Sequence, residues 1–145
     1  MMEATIEKAR PDDLADLLRL LEQNLLPIDG LGDHLATALV ARKNGQLVGS
    51  AALEIYPDGA LLRSVAVAPA LHGLGLGREL TEAAIRLALE RRAPAIYLLT
   101  TTAGQFFPKF GFEPISRAEV PAAVRASVEF TSACPSTATV MRRAL

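Results

Sequence analysis

Tryptophan is absent, and the aromatic residues are two tyrosines and five phenylalanines. Recognition of single-stranded nucleic acid by base stacking therefore has few platforms. Fifteen basic and 16 acidic residues leave a formal net charge of -1, so no broad cationic field faces a phosphate backbone. No nucleic-acid partner is expected. The one cysteine, Cys134, cannot close an internal disulfide, so the fold does not depend on oxidation. His34, His72 and Cys134 lie far apart in the chain, and no metal site is legible. No apolar run approaches the roughly 18 residues that span a bilayer. The first residues show no charged-then-apolar leader pattern. A cytoplasmic protein without a membrane partner is the expectation.

What is present is a well-mixed chain of 145 residues, half of them hydrophobic, which is one domain's worth (1–145) with enough apolar material for a core. A short strand is predicted over 5–9. Pro11 opens a helix with Asp12 and Asp13 in its first turn, and Leu14, Leu17, Leu18, Leu21 and Leu25 follow at helical spacing to about residue 24. A breaker-rich loop occupies 27–32. Apolar runs at 39–42 and 47–55 flank Asn44-Gly45, a strong hairpin signal. Pro57-Asp58-Gly59 turns the chain into a buried strand over 60–67. These three strands should form an antiparallel meander. A helix over 75–92 and a strand over 95–100 then read as a crossover, so strands 60–67 and 95–100 should run parallel. A shorter helix is predicted over 103–110, a strand from 111, and one or two short strands in the tail over 127–143. Those tail strands suggest a homodimer paired across subunits. The fold class is α/β, with a mixed, largely antiparallel sheet flanked by helices.

Chemistry concentrates in the turn after the third meander strand, Val65-Ala66-Val67-Ala68-Pro69-Ala70-Leu71-His72-Gly73-Leu74-Gly75-Leu76-Gly77-Arg78. Glycines admit an anion close to backbone N–H groups. The helix that follows contributes unpaired N–H groups and the positive end of its dipole. Together they suit a pyrophosphate, and Arg78 adds a fixed charge. The glycines alone are equally compatible with a flexible loop. The dinucleotide fingerprint fails, because Glu79 stands where an additional glycine would be sought and the turn follows a meander. The nucleotide-triphosphate pattern fails for want of Gly-Lys-Ser/Thr.

His72-Gly73-Leu74-Gly75-Leu76-Gly77, after Val65-Ala66-Val67 and Pro69, resembles the pyrophosphate motif of the GNAT acyltransferase superfamily. Residues 103–112, which contain Phe106-Phe107-Pro108-Lys109-Phe110-Gly111-Phe112, resemble that family's second hallmark. One helix and one strand separate the two, as in the family. The resemblance implies acetyl-CoA as co-substrate. Val65, Ala66 and Val67 would meet its pantetheine arm, mainly through the backbone of Val65 and Val67. His72, Gly73, Leu74, Gly75, Leu76, Gly77 and Arg78 would hold its pyrophosphate. The strands 61–67 and 95–100 would splay to open the slot where thioester and acceptor meet. His72 replaces the family's usual Arg or Gln, and can equally be a solvated loop residue. Phe107 stands where many members carry a Tyr near the departing thiolate, so that general acid is absent or supplied elsewhere. Stretches 60–64, 98–103 and 129–136 also resemble a small subgroup associated with arsenic resistance.

Acyl transfer needs a neutral nucleophile, oxyanion stabilisation and proton management. Glu54 and Glu129 are the candidate bases. Glu54 has apolar neighbours that could raise its pKa by desolvation, or it is an edge-strand carboxylate facing solvent. Arg63 interrupts an apolar strand, and alternation places it on one face with Leu61, Val65 and Val67 and Ser64 on the other. It is expected to hold an acceptor anion or to form an internal salt bridge to Glu54 or Glu129. Thr101 can orient substrate, while Thr102 reads as a helix cap. Cys134 reads as a small buried thiol rather than a nucleophile or soft-metal ligand. The leading reading is acetylation of a small-molecule amine, amino-acid-like or arsenic-related. The alternatives are protein or peptide N-acetylation and a non-catalytic acyl-CoA sensor.

Overall fold

The computed structural model describes residues 4–101, 103–133 and 137–145. Thr102 and Cys134, for which a cap and a buried thiol were expected, lie outside them. The elements in order are β1 (Thr5–Lys8), α1 (Leu14–Gln23), β2 (Ala38–Lys43), β3 (Gln46–Tyr56), β4 (Gly59–Val67), α2 (Leu76–Glu90), β5 (Ala95–Thr100), β6 (Glu113–Ile115), α3 (Ala122–Arg125) and β7 (Thr139–Ala144). They build one seven-stranded sheet of order β1-β2-β3-β4-β5-β7-β6. Among the described residues, no helix is long and apolar enough to cross a membrane.

The β2–β3 hairpin turns on Asn44 and Gly45, with φ of 52° and 77°, the left-handed pair that a two-residue turn of this twist requires. The strand period of two gives each strand two apolar faces, and both are covered. On one face α2 lays Leu76, Leu80, Ala84 and Ala88 against Leu53, Leu62, Ile96 and Leu98, with Phe107 and Phe112 closing the end. On the other, α1 lays Leu17, Leu20 and Leu21 against Val40, Ala52 and Ala66. Val120 and Val124 cover Leu61 and Tyr97 further along that second face. A sheet buried on both sides explains why its strands read as continuous apolar runs.

The crossover is as expected. β4 and β5 run parallel, but the pairing stops after Ala60↔Ile96 and Leu61↔Tyr97. Beyond that point the two strands part, although β4 continues to Val67 and β5 to Thr100.

Three expectations need correcting. The helix predicted over 103–110 is a single tight turn, Phe107–Phe110. Pro108 lies inside it and Gly111, with φ of 88°, ends it. The tail strand is not free to pair with a second subunit. β7 bonds β5 on one side and β6 on the other, so both its edges are used within the chain. Alternation also fails along β4. Ala52 pairs with Arg63, whereas Ser50 pairs with Ala66, so two residues of β4 face one of β3. Ser64 absorbs the bulge with φ of 59°. The inserted residue flips every side chain after it. Leu61 and Arg63 face away from α2, while Val65 and Val67 pack on its side.

Candidate active site

The gap between β4 and β5 opens into a cleft of about 990 Å³. Val65, Ala66 and Val67 form one wall, and Leu98, Leu99, Thr100 and Thr101 the other. Residues 72, 73 and 75–78, Phe106 and Phe107, Asn24–Pro27, Arg63 and Glu129 complete the lining. The structure thus brings most of the sequence-predicted residues to one place. Glu54 and Leu74 are the exceptions, because neither is on the cleft wall.

Backbone geometry at the floor suits an anion. Gly73 and Gly75 have φ of 83° and 86°, a region that side chains other than glycine's enter at a cost. A Cβ at either would meet nothing within 4 Å, so the space beside both is open. Gly75 is the N-cap of α2. The first amide of this stretch with a backbone acceptor is Glu79, which donates to the Gly75 carbonyl at 3.1 Å. Among the described residues, the amides of 73–78 have no such acceptor. Six adjacent N–H groups at the positive helix end are therefore left without a backbone partner, the provision an anion uses. Arg78 is exposed beside them, 3.9 Å from Glu82. Leu74 is also largely exposed, and its amide is one of those without a backbone acceptor.

Along β4, Ala68 donates to the Val48 carbonyl and Gly49 is paired with Val67. That pairing turns the N–H and C=O of Val67 toward the cleft, while Val65, at the bulge, lines the cleft wall. The Val67 carbonyl is already occupied. It accepts from Asn24 Nδ2 at 3.2 Å and from His72 Nε2 at 2.7 Å. His72 therefore braces the turn against β4. Asn24 does the same from the end of α1, and nothing in the sequence pattern marked it.

Under the acceptor side lies a buried polar cluster. The Arg63 side chain is 0% exposed and Glu54 1%, with Nη1 3.0 Å from Glu54 Oε2. Nη1 also donates to the Asp29 carbonyl at 2.6 Å, Nη2 to the Pro27 carbonyl at 3.3 Å, and Nε to Ser64 Oγ at 3.1 Å. Glu129 Oε2 stands 3.7 Å from Nη2. Ser127 Oγ donates to Glu54 Oε1 at 2.6 Å, and the Tyr56 hydroxyl donates to the same oxygen. His34 Nε2 is 3.8 Å from Glu54 on the outer side. Of the two alternatives for Arg63, the internal salt bridge is the one formed, to both carboxylates.

The electrostatics of Glu54 reverse the expectation from its neighbours. Burial does push its carboxyl up, but hydrogen bonds from Ser127, Tyr56 and Arg63 more than offset this, and its pKa lies below the usual carboxylate value. It is neither a solvent-facing edge residue nor a group poised to take a proton. Burial and the bond to Glu54 push the Tyr56 phenol up to about 12.

Both shifts imply a pH dependence of stability. A depressed Glu54 stabilises the fold above the unfolded carboxylate value, about 4.3, and that contribution is lost as pH falls through the lower folded value. A raised Tyr56 stabilises the fold below the unfolded phenol value, about 10, and that contribution is lost as pH rises toward about 12. Chemical unfolding followed across pH should therefore weaken at both ends. Glu54→Gln should reduce the acid limb and, by removing the partner that helps raise the phenol, part of the alkaline limb as well, while Tyr56→Phe should remove the Tyr56 share of the alkaline limb and only one of the bonds that lower Glu54.

At the far wall Thr100 Oγ1 accepts from the Ala103 amide at 2.8 Å, so it closes that turn. Thr101 is exposed on the cleft wall. Phe107 is buried at the cleft side, edge-on to Phe106 and Phe112.

A family described as acetyltransferase (GNAT) domain matches residues 34–114. The chain belongs to the GNAT acetyltransferase domain family. It is 30% identical over 106 residues to the amino-acid acetyltransferase of Mycobacterium tuberculosis, covering 72% of this chain and 60% of that protein. It is also 30% identical over 95 residues to an uncharacterized N-acetyltransferase of Chlorobaculum tepidum, CT2212, covering 65% and 61%. The chain thus spans about three fifths of the length of these curated relatives. Among solved structures, Rv2747 of M. tuberculosis in complex with CoA and NLQ superposes with a TM-score of 0.82 at 23% identity, covering 97% of this chain and 99% of that one. The N-acetylglutamate synthase of Neisseria gonorrhoeae, complexed with coenzyme A and N-acetyl-glutamate, gives 0.82 at 24%, covering 99% and 35%. These two likenesses establish the fold.

Proposed function

We propose that this protein transfers the acetyl group of acetyl-CoA to the amine of a small molecule. The observation that carries the reading is the join between the anion-binding turn at 72–78 and the open β4–β5 cleft, which is what a pyrophosphate followed by an extended thioester arm needs. The amine nitrogen attacks the thioester carbonyl, a C–N bond forms, the C–S bond breaks, and nitrogen gives up one proton. In this reading, backbone N–H groups near Val65 meet the developing oxyanion. Of the two candidate bases, Glu129 is favoured, because it lines the cleft whereas Glu54 does not. Phe107 has no proton to give, so the thiolate takes its proton from solvent; a thiol of pKa about 8.5 tolerates that.

An amino-acid-like acceptor is the finer reading, supported by the relative named for amino-acid acetylation. None of the relatives described above is named for arsenic resistance, so the amino-acid-like acceptor is preferred to the arsenic-related one. A cytoplasmic location, where acetyl-CoA is available, accompanies this reading.

Thiol release from acetyl-CoA should depend on an added acceptor across a panel of amino acids and polyamines, with a no-acceptor control to subtract Cys134. Tight CoA binding with no release from any acceptor would replace the enzyme with an acyl-CoA sensor.

A further inference from the structure

We propose that Asn24 is a CoA-contacting residue whose side-chain oxygen accepts an amide N–H of the pantetheine arm, in place of the Val67 carbonyl. The inference rests on the reading that CoA lies along β4, and it names the atom that serves the arm at one point of that strand.

An extended arm that carries amides meets a strand edge as another strand would, with its N–H groups on edge carbonyls and its carbonyls on edge N–H groups. β4 offers such an edge beyond Leu61, where its pairing with β5 ends. The Val67 carbonyl on that edge is already spent. A carbonyl oxygen has two lone pairs, and this one accepts from Asn24 Nδ2 at 3.2 Å and from His72 Nε2 at 2.7 Å. A further donor at this oxygen has to displace one of them.

Asn24 supplies the alternative. It caps the C-terminal end of α1 and lines the cleft. Its Nδ2 carries two hydrogens, and both go to carbonyls, Leu20 at 3.0 Å and Val67 at 3.2 Å. Two carbonyl partners fix which end of the side-chain amide is nitrogen. Oδ1 is the end left over, and no donor among the described residues reaches it. Nor is it sealed from water, because the one buried side-chain polar atom without a partner among the described residues is Asp58 Oδ1. Asn24 thus takes one amide oxygen out of use on β4 and offers another of the same kind on a residue of the cleft wall. Donation through Nδ2 polarises the amide, which makes Oδ1 a better acceptor.

Titration calorimetry compares CoA with ADP, which keeps the adenosine and the pyrophosphate and lacks the pantetheine arm. Asn24→Ala should weaken CoA by about 5–10-fold, one hydrogen bond's worth, and change ADP by about two-fold or less. A brace that acts only by holding the 72–78 turn would move both ligands alike. Equal losses, or no loss for CoA, overturn the inference. Side-chain amide NMR of the unmodified protein gives a second answer should the variant fail to fold. The Asn24 Nδ2 resonance should shift on adding CoA and stay in place with ADP. A resonance that is unmoved by CoA, or that moves equally with both, overturns the inference. Failure of CoA to bind would remove this inference and the transferase together, whereas CoA binding without thiol release would remove the transferase alone.

Discussion

Arg63→Ala should destabilise the fold by about 3–5 kcal/mol, the cost of leaving a buried charge without its partner. For a chain of this size that corresponds to a melting temperature lower by about 6–20 °C. Alanine leaves Glu54, 1% exposed, with only neutral donors and a half-buried histidine. It also strips the Pro27 and Asp29 carbonyls of their donor, freeing the segment that follows α1. Arg63→Lys should recover only part, because an ammonium cannot span Ser64, Glu54 and two carbonyls at once. Combining Arg63→Ala with Glu54→Gln should cost less than the sum of the two single changes, since the second removes the orphaned charge. An unchanged melting temperature together with a selective rise in acceptor KM would return Arg63 to the role of substrate ligand.

Gly75→Val should weaken CoA binding by about 10–100-fold. At φ of 86° a valine stands in left-handed backbone where only glycine is at ease, at a cost of about 1–2 kcal/mol. Its branched side chain would also fill the space over the 73–78 amides. Gly75→Ala separates the two causes. It carries the strain but little bulk, because its Cβ meets nothing within 4 Å, and should cost about ten-fold or less. Calorimetric titration with CoA measures both. Equal CoA affinity for Val and Gly at 75 would mean the anion sits elsewhere.

Much of the fold was legible because its signals are local. The Asn44-Gly45 turn, the Pro57-Asp58 turn and the leucine spacing of α1 each decide an element from a few neighbouring residues. The glycine turn was legible as an anion site for the same reason, since strand, glycines and helix start are contiguous. What the sequence concealed is long-range. Alternation along β4 was broken by Ser64, a residue with no special claim to left-handed backbone, so Arg63 was placed with Val65 and Val67 when it faces the other way. For Glu54 the sequence left open a carboxyl raised by burial or a solvent-facing edge residue; burial does act on it, yet it is outweighed by hydrogen bonds from Ser127, 73 positions away, and from Tyr56 and Arg63. The Asn24 bond to Val67 spans 43 positions and likewise left no mark on its own neighbourhood.

The central claim is that acetyl-CoA lies along β4 with its pyrophosphate on the 73–78 amides. Backbone amide NMR of the uniformly labelled protein during CoA titration tests it most directly. The account expects the largest shifts at Gly73, Gly75, Gly77 and Arg78, with Val65 and Val67 following and the β1–β2 edge unmoved. Shifts absent from the glycine turn, or gathered instead around Asp16, Arg19 and Gln46 on the α1 side, would contradict it.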